Sequence, residues 1–153
     1  MVAAEIDGVV VDKEMLMSQD SNLRVITKKD KEYLEILRHS TAHLMAQAVK
    51  RLYPEAKVAI GPVIEDGFYY DFYCPKSFNE DDIEKIERKM QEIISEDYKI
   101  IRSTFTREEA IKFFTDIQED FKVEIIDSIP DVETLSVYTQ GEFADLCLSL
   151  IHI

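Results

Sequence analysis

The run from Asp30 to Tyr53, stopped by Pro54, constrains this chain more than any other feature, because it reads as one long helix with two distinct faces. At about 100° per residue, Leu34, Leu37, Thr41, Leu44, Ala48 and Leu52 gather on one stripe. That stripe is expected to pack the helix. His39 and His43 lie four residues apart and therefore point the same way, about one turn from each other. Their direction is roughly 160° from the leucines, beside Ile36, Ala46 and the small Ala42. The histidine face is expected to look toward something other than the core.

Shorter elements surround the helix. Glu5 to Val11 carries a central Asp7-Gly8 between β-branched flanks, a hairpin signal, and Leu23 to Ile26 reads as a third short strand. Three such strands are too few to close a core of their own. Lys57 to Val63 and Gly67 to Tyr73 read as two strands joined at Ile64-Glu65-Asp66. Asn79 to Asp82 opens a second helix whose apolar positions are Ile83, Ile86, Met90, Ile93 and Ile94. Tyr98 to Phe105 alternates like a strand, and Thr106 to Glu109 is a capping box opening a third helix through Phe114. Phe121 to Ile129 fits helix or strand. Ser136 to Leu148, turning at Gln140-Gly141, suggests a closing hairpin. The sum is an α+β fold, an antiparallel sheet packed with helices around a long central one.

Composition sets the outer limits. Of the 153 residues 46% are hydrophobic and 32% charged, enough to bury a core and too apolar for disorder. No run approaches the roughly 18 apolar residues of a membrane span, and the start lacks the basic and then apolar regions of a secretory signal. Two distant cysteines, Cys74 and Cys147, form no disulfide framework, which points to a reducing cytoplasm. A net charge of −13 argues against gripping nucleic acid by electrostatics alone. Any such role requires a local patch, for which Arg38, Lys50, Arg51 and Lys57 are candidates.

Chemistry concentrates in a few residues. In Asp145-Leu146-Cys147, read as a strand, the acid and the thiol face one side. Two imidazoles, a thiol and a carboxylate suit a zinc site, for which His39, His43 and Cys147 are the ligand candidates. They equally suit metal-free hydrolysis, with a histidine as general base on water. A packed cysteine and an unemployed histidine pair are the plain alternatives. Lys122, set among apolar residues, reads as a solvated charge whose stem covers the core. The aromatics of Gly67 to Phe72 read first as core packing and second as a pocket wall.

Three segments together resemble the N-terminal part of the bacterial threonyl-tRNA synthetases. Arg38 to Leu44 resembles the family's H-S-x-x-H-L helix, Ala59 to Phe72 its following hairpin, and Asp145-Leu146-Cys147 the start of D-[LM]-C-R-G-P-H. Their order and separation make the likeness specific. It implies an editing domain over residues 29–147, of the type shared with alanyl-tRNA synthetases. Residues 1–28 resemble the end of the preceding ubiquitin-like TGS module. The family joins threonine to its tRNA with ATP, in a catalytic domain that also carries zinc and would follow this segment. The editing domain hydrolyses serine wrongly esterified to tRNA(Thr). Serine lacks only a methyl, worth ~1–3 kcal/mol in a pocket, so a second and tighter site is needed. By resemblance His39, His43, Lys122, Asp145 and Cys147 occupy the editing pocket. His39 and Lys122 would position or activate water, His43 and Cys147 would contact substrate, and Asp145 would join the hydrogen-bond network. The editing domain itself requires no cofactor by this likeness; the alanyl relatives hold zinc with H-x-x-x-H and C-x-x-x-H, and no metal is assigned here. The partner implied is the acceptor 3′ end of tRNA(Thr) carrying a seryl ester.

The pattern departs after Cys147, where the family has Arg-Gly-Pro-His and this chain has Leu148 to Ile153. His152 stands one position late, so residues 148–153 read as a foreign tail, His152 as accidental, and the fragment as weak or inactive in editing. Two other readings compete: a freestanding trans-editing hydrolase, and a zinc-binding or protein-interaction domain without turnover. Cys74, beside Pro75, has no counterpart in the family pattern.

Overall fold

The computed structural model describes residues 2–130 and 134–147. Three strands open the chain, β1 (Ala3–Ile6), β2 (Val9–Val11) and β3 (Leu23–Ile26), in an antiparallel sheet of order β2-β1-β3. Asp7 and Gly8 both take positive φ, the geometry that a two-residue hairpin matched to strand twist requires. This sheet stays separate from the others and closes on the long helix through Ala3, Ile26 and Ile36. The expectation that it cannot bury a core alone agrees with that docking.

Helix α1 (Glu32–Leu52) follows, then four two-residue strands, β4 (Lys57–Val58), β5 (Val63–Ile64), β6 (Gly67–Phe68) and β7 (Phe72–Tyr73). The two long strands expected here are thus interrupted. β4 pairs β7 and β5 pairs β6, with Ala59 to Pro62 between them. Pro62 has no N–H to give a ladder. The hairpin is carried across the break by Ala59 N–H to Asp71 O (3.0 Å) and Asp71 N–H to Ile60 O (2.8 Å).

Helix α2 (Glu80–Glu96) starts at a complete Asn79/Asp82 capping box. Strand β8 (Ile100–Phe105) leads to α3 (Arg107–Asp116), opened by a second capping box from Thr106 and Glu109. The ambiguous run becomes α4 (Asp120–Ser128), entered by a chain reversal at Gln118 (φ 61°). Strands β9 (Leu135–Gln140) and β10 (Phe143–Cys147) complete an antiparallel sheet of order β10-β9-β8, as the closing hairpin predicted. Leu148 of that expected strand, and the tail through Ile153, lie outside the described residues.

The leucine stripe does not pack α1 as expected. Leu34 and Leu37 are exposed, whereas Ile36, Ala42, Ala46 and Val49 are buried. The small Ala42 and Ala46 let Val58, Tyr70 and Phe143 approach closely, so the face beside the histidines makes the core. Only the later stripe, Leu44, Ala48 and Leu52, packs on α2. On α2, likewise, Ile86 and Ile93 are buried while Ile83 and Ile94 are exposed. Among the described residues no helix is long and apolar enough to cross a membrane.

Replacing Asn79 with Ala removes one half of the α2 capping box. It should lower stability by about 1 kcal/mol at unchanged m-value in urea titrations.

Candidate functional site

Four elements converge on one cavity of about 290 Å³: α1 with His39 and His43, the Ala59–Val63 segment, α4 with Lys122, and β10 with Asp145 and Cys147. Asp145, Leu146 and Cys147 of β10 all border the cavity, while Leu146 also packs into the core of α3, α4 and β9. All five residues expected from the sequence therefore meet. A larger groove of about 870 Å³ between β2 and β8 contains no histidine or cysteine.

Lys122 corrects the sequence reading. It is 3% exposed, not solvated, because α4 turns it inward. Its ammonium donates to Asp145 Oδ1 (2.6 Å), Tyr70 Oη (2.9 Å) and Ala59 O (2.6 Å). A lysine has three donors, and these three acceptors account for them. Asp145 is 1% exposed and also accepts from Tyr70 Oη–H (2.5 Å) and His43 Nδ1–H (2.7 Å) on Oδ2. Burial opposes its charge, but Lys122 and His43 outweigh burial and hold the carboxyl well below the usual range. Burial first, and then Asp145, push the Tyr70 phenol well up, so it stays a donor.

Tyr70 is the residue that sequence reasoning missed. The Gly67–Phe72 aromatics had suggested a pocket wall only as the second reading; Tyr70 is both wall and part of the polar network. Its ring stacks on Phe72 and lies where a Cβ on Gly61 would be, so that position needs glycine. A glycine followed by proline opposite a tyrosine was the available signal.

The carboxylate of Asp145 fixes the ring chemistry. It only accepts, so His43 Nδ1 bears the proton, and in the neutral ring Nε2 is an acceptor. His39 Nε2 lies 3.1 Å from His43 Nε2 and 3.3 Å from Cys147 Sγ. Burial, and then His43, lower the His39 pKa to about 4, so the ring is neutral at physiological pH. The ligand atoms of His39, His43 and Cys147 lie within 4.8 Å of one another. Two nitrogens bound to one tetrahedral zinc stand about 3.3 Å apart, and an outer carboxylate on a ligating histidine is the usual second partner, so the donor set fits zinc.

Each of the four candidate patch cations is engaged by another part of the described chain, three of them by carboxylates and Arg38 by a backbone carbonyl. Arg38 donates to Glu65 O (2.6 Å), Lys50 pairs with the buried Glu119 (2.7 Å), and Lys57 lies 3.7 Å from Asp120. Arg51 pairs with Glu142 (2.6 Å) and Glu96 (2.8 Å). Each of the four holds the fold together instead. Cys74 packs at the edge of the α1–α2 core, away from the cavity.

Two stability predictions follow from this wiring. Lys122→Met strands a buried carboxylate and should cost about 3–5 kcal/mol, whereas Lys122→Met with Asp145→Leu should cost less than the two single changes summed, by urea unfolding. For His39, the unfolded ring takes up a proton below about pH 6.5 and the folded ring only below about 4, so stability is full above 6.5 and falls as pH drops through that window. The loss should reach at most ~3 kcal/mol, and subtracting the curve of His39→Ala should remove it.

No protein-family model matches the chain. Nearly all of it is similar to threonine–tRNA ligases. Identity is 50% over 146 residues to that of Alkalilimnicola ehrlichii and 52% over 146 residues to that of Nitrosococcus oceani. It is 50% over 147 residues to that of Symbiobacterium thermophilum. These matches take in 95% or 96% of this chain and 23% of each relative, so the chain spans about a quarter of the length of the curated relatives it matches. At half identity across nearly its whole length, the chain belongs to the threonine–tRNA ligase family, corresponding to a segment of the synthetase.

Proposed function

We propose that the cavity hydrolyses an aminoacyl ester at the 3′ end of a tRNA, with serine wrongly attached to tRNA(Thr) as substrate. The synthetase to which this segment corresponds would join threonine to that tRNA with ATP elsewhere in its length, in the cytoplasm. Residues 29–147 would be the editing unit and residues 1–28 the end of a TGS-type module. The observation that carries the reading is a neutral imidazole, His39, at a concave wall beside a thiol and backed by a buried Lys122–Asp145 pair. General-base hydrolysis needs a base that is unprotonated yet ordered, and such a base contributes typically 10²–10⁴-fold.

In this mechanism His39 Nε2–H donates to His43 Nε2, and His39 takes a proton from water at Nδ1 as the water oxygen bonds to the ester carbonyl carbon. The tetrahedral intermediate collapses with cleavage of the bond to the ribose oxygen. That oxygen leaves as a hydroxyl, taking back the proton held by His39, and free serine departs. Asp145 sets the His43 tautomer, and His43 in turn orients His39. Lys122 acts through Asp145, keeping it ionised, because its own donors are occupied. Cys147 and the Ala59–Val63 segment form the wall where threonine's extra methyl would collide. Zinc, if bound, would be held by His39, His43 and Cys147, would replace His39 as the group that activates the reaction, and would supply Lewis-acid polarisation of the carbonyl.

The test is serine release from seryl-tRNA(Thr) by this chain and by a version carrying Arg-Gly-Pro-His and its natural continuation after Cys147, the second expected to be the faster; the substitutions are read in that version. His39→Ala should slow it by about 10²–10⁴-fold, and the acid limb of kcat/KM should fall near pH 4 rather than 6.5. An unchanged rate in His39→Ala, or equal release of threonine from its own tRNA, would sink the proposal.

A further inference from the structure

Residues 24–31 hold four cations and one acid, Asp30, within a chain of net charge −13. Arg24 is spent inside the fold: it pairs with Glu5 (2.6 Å), Glu32 (2.6 Å) and Asp30 (3.6 Å). Asp30 Oδ2 is also taken, accepting from the Thr27 N–H and hydroxyl at 2.7 Å each. Glu5, Asp30 and Glu32 are thereby engaged by Arg24 and Thr27, and Lys28, Lys29 and Lys31 are exposed, with no carboxylate in ion-pair range among the described residues, Lys31 acting on Glu32 only at longer range. This is the reverse of Arg38, Lys50, Arg51 and Lys57, all of which are bound by the fold.

The place of these lysines matters as much as their charge. Lys31 already has helical backbone angles (φ −63°, ψ −31°), so Lys31, Glu35, His39 and His43 stand at successive intervals of four on one slowly turning stripe of α1. Glu35, His39 and His43 line the cavity. At 1.5 Å rise per residue, Lys31 lies about 12 Å along the axis from His39. One or two nucleotides span that distance. Glu35, between them, repels a phosphate from the mouth itself, which sets where the backbone charge can come to rest.

We infer that Lys28, Lys29 and Lys31 form a phosphate-binding strip for the unpaired 3′ strand of an RNA whose terminal ester enters the cavity. The strip rests on the hydrolytic reading for the identity of that ester, but its contact is with phosphates and can be tested without turnover. An acidic chain can then dock one RNA end with few contacts, since three exposed cations within four consecutive residues supply local attraction while the net negative charge of the rest repels the duplex.

The test is binding of a 5′-labelled acceptor-stem RNA hairpin ending in unpaired CCA to this chain by fluorescence anisotropy, from 50 to 200 mM salt. Each contact to single-stranded phosphate contributes a slope of about −0.7 in log K against log salt, so K28Q/K29Q/K31Q should reduce the slope by about 2. At low salt its affinity should fall at least about tenfold, while K112Q changes neither. The same slope change with a blunt-ended hairpin, or with inorganic polyphosphate, would overturn the proposal as generic polyanion attraction, and so would an unaltered slope. Serine release by the same proteins separates the two readings. Hydrolysis with an unchanged KM in the triple variant sinks the strip and leaves the hydrolytic site standing. A lysine-dependent slope without hydrolysis by the otherwise unsubstituted chain carrying Arg-Gly-Pro-His after Cys147 sinks the hydrolytic site and leaves the strip.

Discussion

Lys122 and Asp145 meet 2.6 Å apart, both almost fully buried, and four separate elements are arranged around that contact. Lysine comes from α4, the carboxylate from β10, Tyr70 from the interrupted hairpin and His43 from α1. Burying two charges is tolerable only when each is paired and its remaining hydrogen-bonding capacity is filled. Here each lysine donor and both carboxylate oxygens have partners. The pair is therefore better seen as a register device than as a source of stability: it fixes which way the His43 ring faces, and through that ring, His39. A second buried acid, Glu119, works similarly at the opposite edge of the hairpin, where it accepts from Val58 N–H (3.2 Å) and pairs with Lys50.

The same economy governs the charges of this strongly acidic segment. Its cations fall into two groups. Those on the body of the fold, such as Arg51 between Glu96 and Glu142, are consumed in bridging elements. Those just ahead of α1 stay in solvent. A count of charges cannot tell these groups apart, because both are basic residues near acidic ones in sequence; only partner geometry does.

Legibility followed the range of the interaction. The capping boxes at Asn79 and Thr106, the Asp7-Gly8 hairpin and the β9–β10 turn were all readable, since each is decided by residues within a few positions of one another. The meeting of His39, His43, Lys122, Asp145 and Cys147 was reached through family likeness, and three-dimensional packing brings all five to one cavity. Periodicity misjudged α1, because hydrophobicity alone favours leucine over alanine. The buried side is instead the one where small Ala42 and Ala46 permit close approach of the hairpin and β10. Lys122 was misread for a related reason: a lysine among apolar residues looks solvated unless its acceptors, which come from residues 59, 70 and 145, are known.

What the sequence determined by itself was the set of local elements and their order, together with the two histidines one helical turn apart and the acid and thiol two residues apart on a strand. Those follow from backbone periodicity, which depends on spacing alone. The tertiary structure alone decided which helix face is buried, that Lys122 points inward, that Tyr70 belongs to the network, and which cations remain in water. Each of these depends on groups dozens of residues apart satisfying one another's charge and hydrogen bonds in a place that water cannot reach.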